Sequence, residues 1–345
     1  MTYLSLLLTP AAQFIHCASP NSTHDPCAEP NAHVWQAVLQ DQEGALLSVW
    51  GTGPDDVWTV GSRGASETEV SILHYDGSSW QSMPTGAHVD TLWWIHGFKD
   101  GPRFIGGEEG TIIQHENGVF SVMETPGTGT VFGIWGANKD DLWAVGGGVL
   151  SGQSAFIWHF DGVSWSDAPD LPQSVTSLPV INKVWGTAPD DVWFVGAQGV
   201  ILHFDGSAFT TIDSGTDRPL FTISGRLDAS LVTAVGGDLY GVIAELRGGG
   251  FQDATPHTDP PPLRLVGVNH REDMGYAVGD DMAILRYAND TWCEESTELD
   301  GLYLGLHAVW IDTAGGAWAV GGQIAVPPYG QGILVYKGSH TPAAR

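Results

Sequence analysis

Apolar residues come in short bursts along the chain. Runs such as LLSVW from Leu46, VWTVG from Val57 and ILHY from Ile72 are set apart by Gly, Pro, Asp or Ser. Short apolar runs between turn formers read as strands, and no stretch shows the i, i+3, i+4, i+7 spacing of an amphipathic helix. The pattern predicts an all-β chain.

The bursts repeat. SVWGTGPDDVWTVG from Ser48, GIWGANKDDLWAVG from Gly133 and KVWGTAPDDVWFVG from Lys183 are near copies; WIHGFKDGPRFIGG, TISGRLDASLVTAVGG, GVNHREDMGYAVGD and AVWIDTAGGAWAVGG are degraded ones. One register is marked by Val49, Ile95, Ile134, Val184, Ile223, Val268 and Val309, 39 to 50 residues apart. That spacing brackets the period of a four-stranded propeller blade. Within a unit, two strands flank a Gly/Pro/Asp turn, a third follows (ILHYDG, IWHFDG, ILHFDG), and an outer fourth closes it (SSWQSM, VSWSDA).

A lone meander of this kind leaves apolar faces uncovered, and a ring of copies covers them all. Trp50, Trp58, Trp135, Trp143, Trp185 and Trp193 are therefore expected between blades, each burying about 150–250 Å². The last unit stops at GILVYKGS without an outer strand, while HVWQAVLQ at 33–40 carries a Trp35-Gln36 pair that aligns on Trp80-Gln81. The sequence predicts a seven-bladed β-propeller of four-stranded antiparallel blades over 33–340, its last blade closed by this N-terminal strand pairing around 332–336.

The motif VWGxxPDDVWxVG, followed by LHxDGxxW, resembles repeat propeller proteins found in myxobacteria and their relatives, grouped with the Asp-box (BNR-like) repeats. The resemblance spans roughly residues 34–340 and implies the fold. Its Asp-box element implies, as an alternative function, a carbohydrate-active propeller, either lectin or glycoside hydrolase-like. In this chain Asp76, Asp161 and Asp205 have Gly directly behind them and His74, His159 and His203 two residues in front, where the Asp-box has Ser or Thr.

Residues 1–17 read as a signal-like segment, 18–32 as a Ser/Pro/Asn-rich tether and 341–345 as a tail. That order resembles a bacterial lipoprotein, which implies a lipid on Cys17 and an extracytoplasmic location, secreted, periplasmic or at the outer membrane, in a Gram-negative bacterium. Phe14, Ile15 and His16 depart from the small residues that family places before its Cys. The alternative is a disulfide between Cys17 and Cys27 that leaves Cys293 unpaired. No later stretch approaches the roughly 20 apolar residues of a membrane-spanning helix.

With 13 Lys and Arg against 40 Asp and Glu, the net charge is −27. Such a field repels nucleic-acid phosphates and anionic lipid, leaving a small ligand, a glycan or a protein as the expected partner of a monomer.

His74, His159 and His203 recur in one register and read as structural; the pairs Asp55-Asp56, Asp140-Asp141 and Asp190-Asp191 read as turn and strand-entry residues. Candidate sites lie where the blades differ, on the loops of one face. One ring, at the start of the inner strands, comprises Leu47, Trp93, Phe132, Asn182, Phe221, Val266 and His307; a second, after the second strands, comprises Arg63, Glu108, Gly148, Gln198, Asp238, Asp281 and Gln323. The candidate ligand contacts are Trp93, Asn182, His307, Arg63, Glu108, Gln198, Asp238 and Asp281. His307, Asp238 and Asp281 are the grounds for a divalent or transition-metal cation, and Glu108 with Asp238 or Asp281 for a glycosidase pair. No nucleophile motif or phosphate loop stands out, and no catalytic residue is assigned. The leading expectation is a non-enzymatic binding propeller.

Overall fold

The computed structural model describes residues 33–67, 70, 72–148, 153–295, 297, 299, 304–340 and 342–343, together with Cys27. The expected signal-like segment and, apart from Cys27, the tether lie outside these residues.

The strands form seven four-stranded antiparallel sheets. Blade 1 shows the plan: Leu46–Gly53 is innermost, then Asp56–Gly61, Ile72–Tyr75 and Trp80–Ser82 step outward. The other inner strands are Leu92–Gly97, Thr130–Asn138, Ile181–Ala188, Leu220–Gly225, Leu265–Arg271 and Gly305–Ile311. Each packs on the inner strands of both neighbours, and that of blade 7 packs on that of blade 1, so the ring is closed.

The closing strand is the N-terminal one. Gln36–Gln42 runs antiparallel to Gly330–Lys337, with Gln36 opposite Tyr336 and Gln42 opposite Gly332, and forms the outer strand of blade 7. A second tie lies beside it: Cys27 is disulfide-bonded to Cys293 on the outer strand of blade 6. This corrects the expected Cys17–Cys27 pairing and the expected free thiol at Cys293. Sequence spacing favours nearby cysteines, whereas circular closure brings the chain's start to its end. Cys17 itself lies outside the described residues.

The apolar core is divided among the seven interfaces. One cluster joins Leu39, Trp318 and Tyr336 of blade 7 to Val49, Tyr75 and Trp80 of blade 1. Another joins Trp135 and Trp143 of blade 3 to Phe194 and Leu202 of blade 4. Trp58 lies between blades 1 and 2, and Trp193 between blades 4 and 5. The Trp residues of the repeat therefore pack between blades, the expected place.

Each of the three near copies builds a polar hub around the second Asp of its pair. In blade 1, Asp56 Oδ1 meets His74 Nε2 at 2.8 Å and accepts Trp58 Nε1–H at 2.8 Å, while Thr52 donates to Oδ2 at 2.7 Å. Blade 4 repeats this with Asp191, His203, Trp193 and Thr187. In blade 3, His159 meets Asp141 at 2.7 Å. Burial pushes the Asp56 carboxyl up, but the hydrogen bonds from His74, Thr52 and Trp58 and the Arg103 charge outweigh it and hold the group far below its ordinary value. His74, His159 and His203 thus each tie the third strand of a blade to the Asp that opens its second. The third Asp is a turn device: Asp76 Oδ1 accepts the amides of Ser78 and Ser79, and Gly77 takes φ +86°.

Candidate functional site

Every inner strand carries a β-bulge at its start. In blade 1, Leu46 faces Gly61 and Ser48 faces Val60, so Leu47 has no partner; in blade 4, Ile181 faces Gly196 and Lys183 faces Val195, so Asn182 has none. The unpaired residues in blades 2, 3, 5, 6 and 7 are Trp93, Phe132, Phe221, Val266 and His307. These seven are the first ring expected from sequence. The bulge also accounts for the Gly that ends the repeat motif. A Cβ on Gly61 would lie 1.9 Å from the carbonyl oxygen of Ala45, and one on Gly321 would lie 1.9 Å from that of Gly305.

A bulge re-aims side chains. Here it turns six ring residues, Trp93, Phe132, Asn182, Phe221, Val266 and His307, onto one axial cavity of about 190 Å³. Leu47 is buried behind the wall and contributes its carbonyl. The cavity is also lined by four residues outside both rings: Lys183, Thr222, Arg264 and Ile324. Strict alternation along a strand forbids two consecutive residues on one face. The bulge suspends that rule for Asn182-Lys183 and Phe221-Thr222.

A bulge also strands backbone carbonyls, and side chains from neighbouring blades satisfy them. Asn182 Nδ2 donates to Leu220 O at 2.8 Å, Thr222 Oγ1 to Val266 O at 2.6 Å, and Lys183 Nζ to Phe132 O at 2.7 Å. His307 Nδ1 lies 2.5 Å from Leu47 O; a carbonyl only accepts, so Nδ1 carries the proton and Nε2 holds a lone pair. Burial drives the His307 pKa down to about 3, the Lys183 and Arg264 charges add to the effect, and the Leu47 bond partly opposes it. The ring is neutral at physiological pH.

Lys183 is buried, with its Nζ 3.7 Å from the centroid of the Trp94 ring. Burial alone pushes its pKa down to about 7. Arg264, at the mouth, donates from Nη2 to Asp280 at 3.0 Å and is thereby neutralised. Trp93 packs against Phe132, His307 and Tyr329 at centroid distances of 5.1, 5.8 and 5.5 Å.

None of the second ring lines this cavity. Arg63 is exposed and paired to Asp90 at 2.7 Å. Glu108 is half-buried, and burial raises its pKa, with the Asp90 and Glu109 charges adding and a Thr91 hydrogen bond opposing; neither Asp238 nor Asp281 is among the groups that act on it. Gln198 borders a separate depression of about 830 Å³ with Arg218 and His257. Asp238, Asp281 and Gln323 are exposed, and Gly148 is buried. The alignment behind this ring slips by one residue in blade 2. Amides of Thr111, Val200 and Ala283 donate to the carbonyls of Glu108, Ala197 and Asp280, which are therefore the equivalent positions. Asp280, not Asp281, reaches the mouth.

The three proposed metal ligands are not brought together. His307 spends Nδ1 on Leu47 deep in the ring, Asp281 sits at φ +53° on an exposed turn, and Asp238 is exposed on another blade. Among the described residues, no three His, Cys, Asp or Glu side chains gather where a cation could sit. Among the same residues, no helix is long and apolar enough to cross a membrane.

No protein-family model matches the chain. No curated protein matches it in sequence. Solved structures do resemble it. YCF48 from Cyanidioschyzon merolae is 14% identical, with a TM-score of 0.66 over 88% of this chain and 98% of that one. The WD40 propeller domain of Doa1 is 10% identical, with a TM-score of 0.66 over 90% and 99%. The extracellular domain of a hybrid two-component system from B. thetaiotaomicron is 12% identical, with a TM-score of 0.62 over 90% of this chain and 42% of that one. At these identities the likeness is one of fold, and the fold is a β-propeller.

Proposed function

We propose that this chain is a non-enzymatic binding propeller of the extracytoplasmic space, and that its ligand enters the axial cavity. The observation that carries the reading is the convergence of six residues of five kinds, from six otherwise similar blades, on one concave, largely apolar pocket, the usual form of a ligand site. Blade residues that serve packing recur; these differ from copy to copy. Support from neighbours is coarser: one solved structure is YCF48 bound to a D1 peptide, and two others are extracellular domains from B. thetaiotaomicron. The Cys27–Cys293 bond favours an oxidising compartment, since disulfides persist outside the cytosol. The resemblance of the repeat to myxobacterial proteins favours a Gram-negative host.

The test is a small-molecule and short-peptide library screened by thermal shift on the full chain and on Val266→Phe, which fills the cavity. Ligands should raise the melting temperature of the first and not the second, and be recovered chemically unchanged. Hits that stabilise both proteins equally, or that are consumed, would overturn the reading.

A further inference from the structure

Four side chains that line the cavity satisfy stranded carbonyls, and three of them, Asn182, Thr222 and His307, do so without charge. Lys183 does the same for Phe132 O with an ammonium. A neutral donor would serve that bond, so the hydrogen bond does not explain the charge. Burying a lone cation is unfavourable, because the water that solvated its charge is lost. Elsewhere in the molecule the cost is offset: buried Lys337 has Glu295 at 2.8 Å, and Arg103 has Asp56 at 3.2 Å. Among the described residues, Lys183 has no carboxylate within ion-pair distance. An ammonium has three N–H donors. One goes to Phe132 O and the Trp94 face lies over the group, which leaves donor capacity at the cavity wall.

The rest of the pocket narrows what would complete it. Arg264 is already paired to Asp280 and His307 is uncharged, so below about pH 7 the cavity offers one net positive charge, that of Lys183. The other walls are Trp93, Phe132, Phe221 and Val266. Trp93 has a buried indole N–H without an acceptor, while Asn182 keeps its Oδ1 and second amide hydrogen after its bond to Leu220. We propose that the axial cavity takes a compact monocarboxylate, its carboxylate on Lys183 and its apolar body between Trp93, Phe132 and Phe221. This rests on the reading of the cavity as a binding site. Inorganic phosphate has no apolar body for Trp93, Phe132 and Phe221 to enclose. The acidic exterior does not forbid the ligand, because its field is screened beyond about 8 Å at physiological salt.

The experiment titrates the full-length protein at pH 6 with benzoate, phenylacetate and hexanoate, and with their primary amides, following tryptophan fluorescence and heat. At least one acid should bind about ten-fold or more tightly than its amide. Lys183→Gln, which keeps a donor for Phe132, should bind acid and amide alike, and Lys183→Arg should retain the preference. Acid and amide binding equally to the wild-type protein, with both lost in Val266→Phe, would overturn the carboxylate inference while leaving the binding reading intact. Phosphate binding more tightly than any acid would also overturn it. Binding of none of the probes would overturn it, and a blank library screen would then remove the binding reading separately. The acid-to-amide ratio is read on the wild-type protein, so a Lys183→Gln chain that fails to fold leaves that ratio, repeated on Lys183→Met, to decide.

Discussion

The Trp-Gly dipeptide of the repeat is a contact between blades. A Cβ on Gly97 of blade 2 would lie 2.8 Å from Cη2 of Trp50 in blade 1, and Gly186 stands in the same relation to Trp135, Gly225 to Trp185 and Gly51 to Trp310. Where the Trp is absent, the Gly can be absent too. Blade 5 has Ser224, and His270 in blade 6 donates its amide to Ser224 Oγ at 3.2 Å; blade 6 has Asn269, and Ile311 in blade 7 donates to its Oδ1 at 3.0 Å. Gly97→Ala should therefore destabilise the protein by about 1–3 kcal/mol in urea unfolding, as overpacking does. In a Trp50→Leu background the same change should cost roughly 1 kcal/mol less, because the two residues touch. Asp56 makes a sharper case, since its carboxylate is shared by His74, Trp58, Thr52 and Arg103. Asp56→Ala leaves several part-buried donors without an acceptor and should cost about 2–4 kcal/mol. From sequence, both residues of each Asp pair look like turn formers. Only folding separates the first, at the turn, from the second, at the hub, because the His partner comes 18 residues later in blade 1.

At the scale of strands, the blades, their seven copies and the closing strand were legible because each follows from a repeated pattern and from what the last copy lacks. The first ring of the candidate site was legible for the same reason: it is a register. Lys183 was not, because the neighbouring position carries Ser48, Trp94, Gly133, Thr222, Gly267 and Ala308 in the other blades, and alternation sends it away from the axis. The bulge that overrides alternation has no single-residue signature, only the Gly across the strand that tolerates it. The Cys27–Cys293 bond was hidden for a topological reason, as 266 residues separate its ends and only ring closure makes them neighbours. The closing strand and the disulfide make separable predictions. Cys27→Ser should fold and lose about 2–5 kcal/mol, the usual cost of removing a native disulfide. Removing residues 1–40 should instead prevent folding or cause aggregation, because it strips most of the outer strand from blade 7 and opens the edge of Gly330–Lys337. Equal stability of the two proteins by calorimetry would refute the closure.

Over the whole molecule, the polar groups buried between the blades set how stability depends on pH. His96, His270 and His307 are uncharged in the fold, burial having driven their pKa values to about 4, 3 and 3. The unfolded chain takes up those protons near pH 6.5 and the folded one does not, so stability is lost as pH falls from there toward 4, by up to about 3 kcal/mol for each group. Below that range the hub carboxylates Asp56 and Asp191, whose pKa values the fold depresses, add to the loss as they are protonated. Lys183 acts on the other side. Its folded pKa of about 7 lies below the ordinary lysine value of 10.5, so the unfolded chain holds a proton the fold has released. Stability should therefore rise with pH between about 7 and 10.5. Tyr287 and Tyr336, raised to about 12 by burial above an ordinary 10, reverse the trend beyond pH 10, where the unfolded chain ionises first. The urea midpoint should accordingly peak on the alkaline side of neutrality, near pH 9–10, rather than in the usual range of about 5–8. In Lys183→Gln the rise above pH 7 should vanish, while the acid limb should keep its His96 and His270 contributions and shrink only for His307, whose pKa the Lys183 charge helps to lower. A rise that survives the substitution would mean that the buried ammonium is not its source.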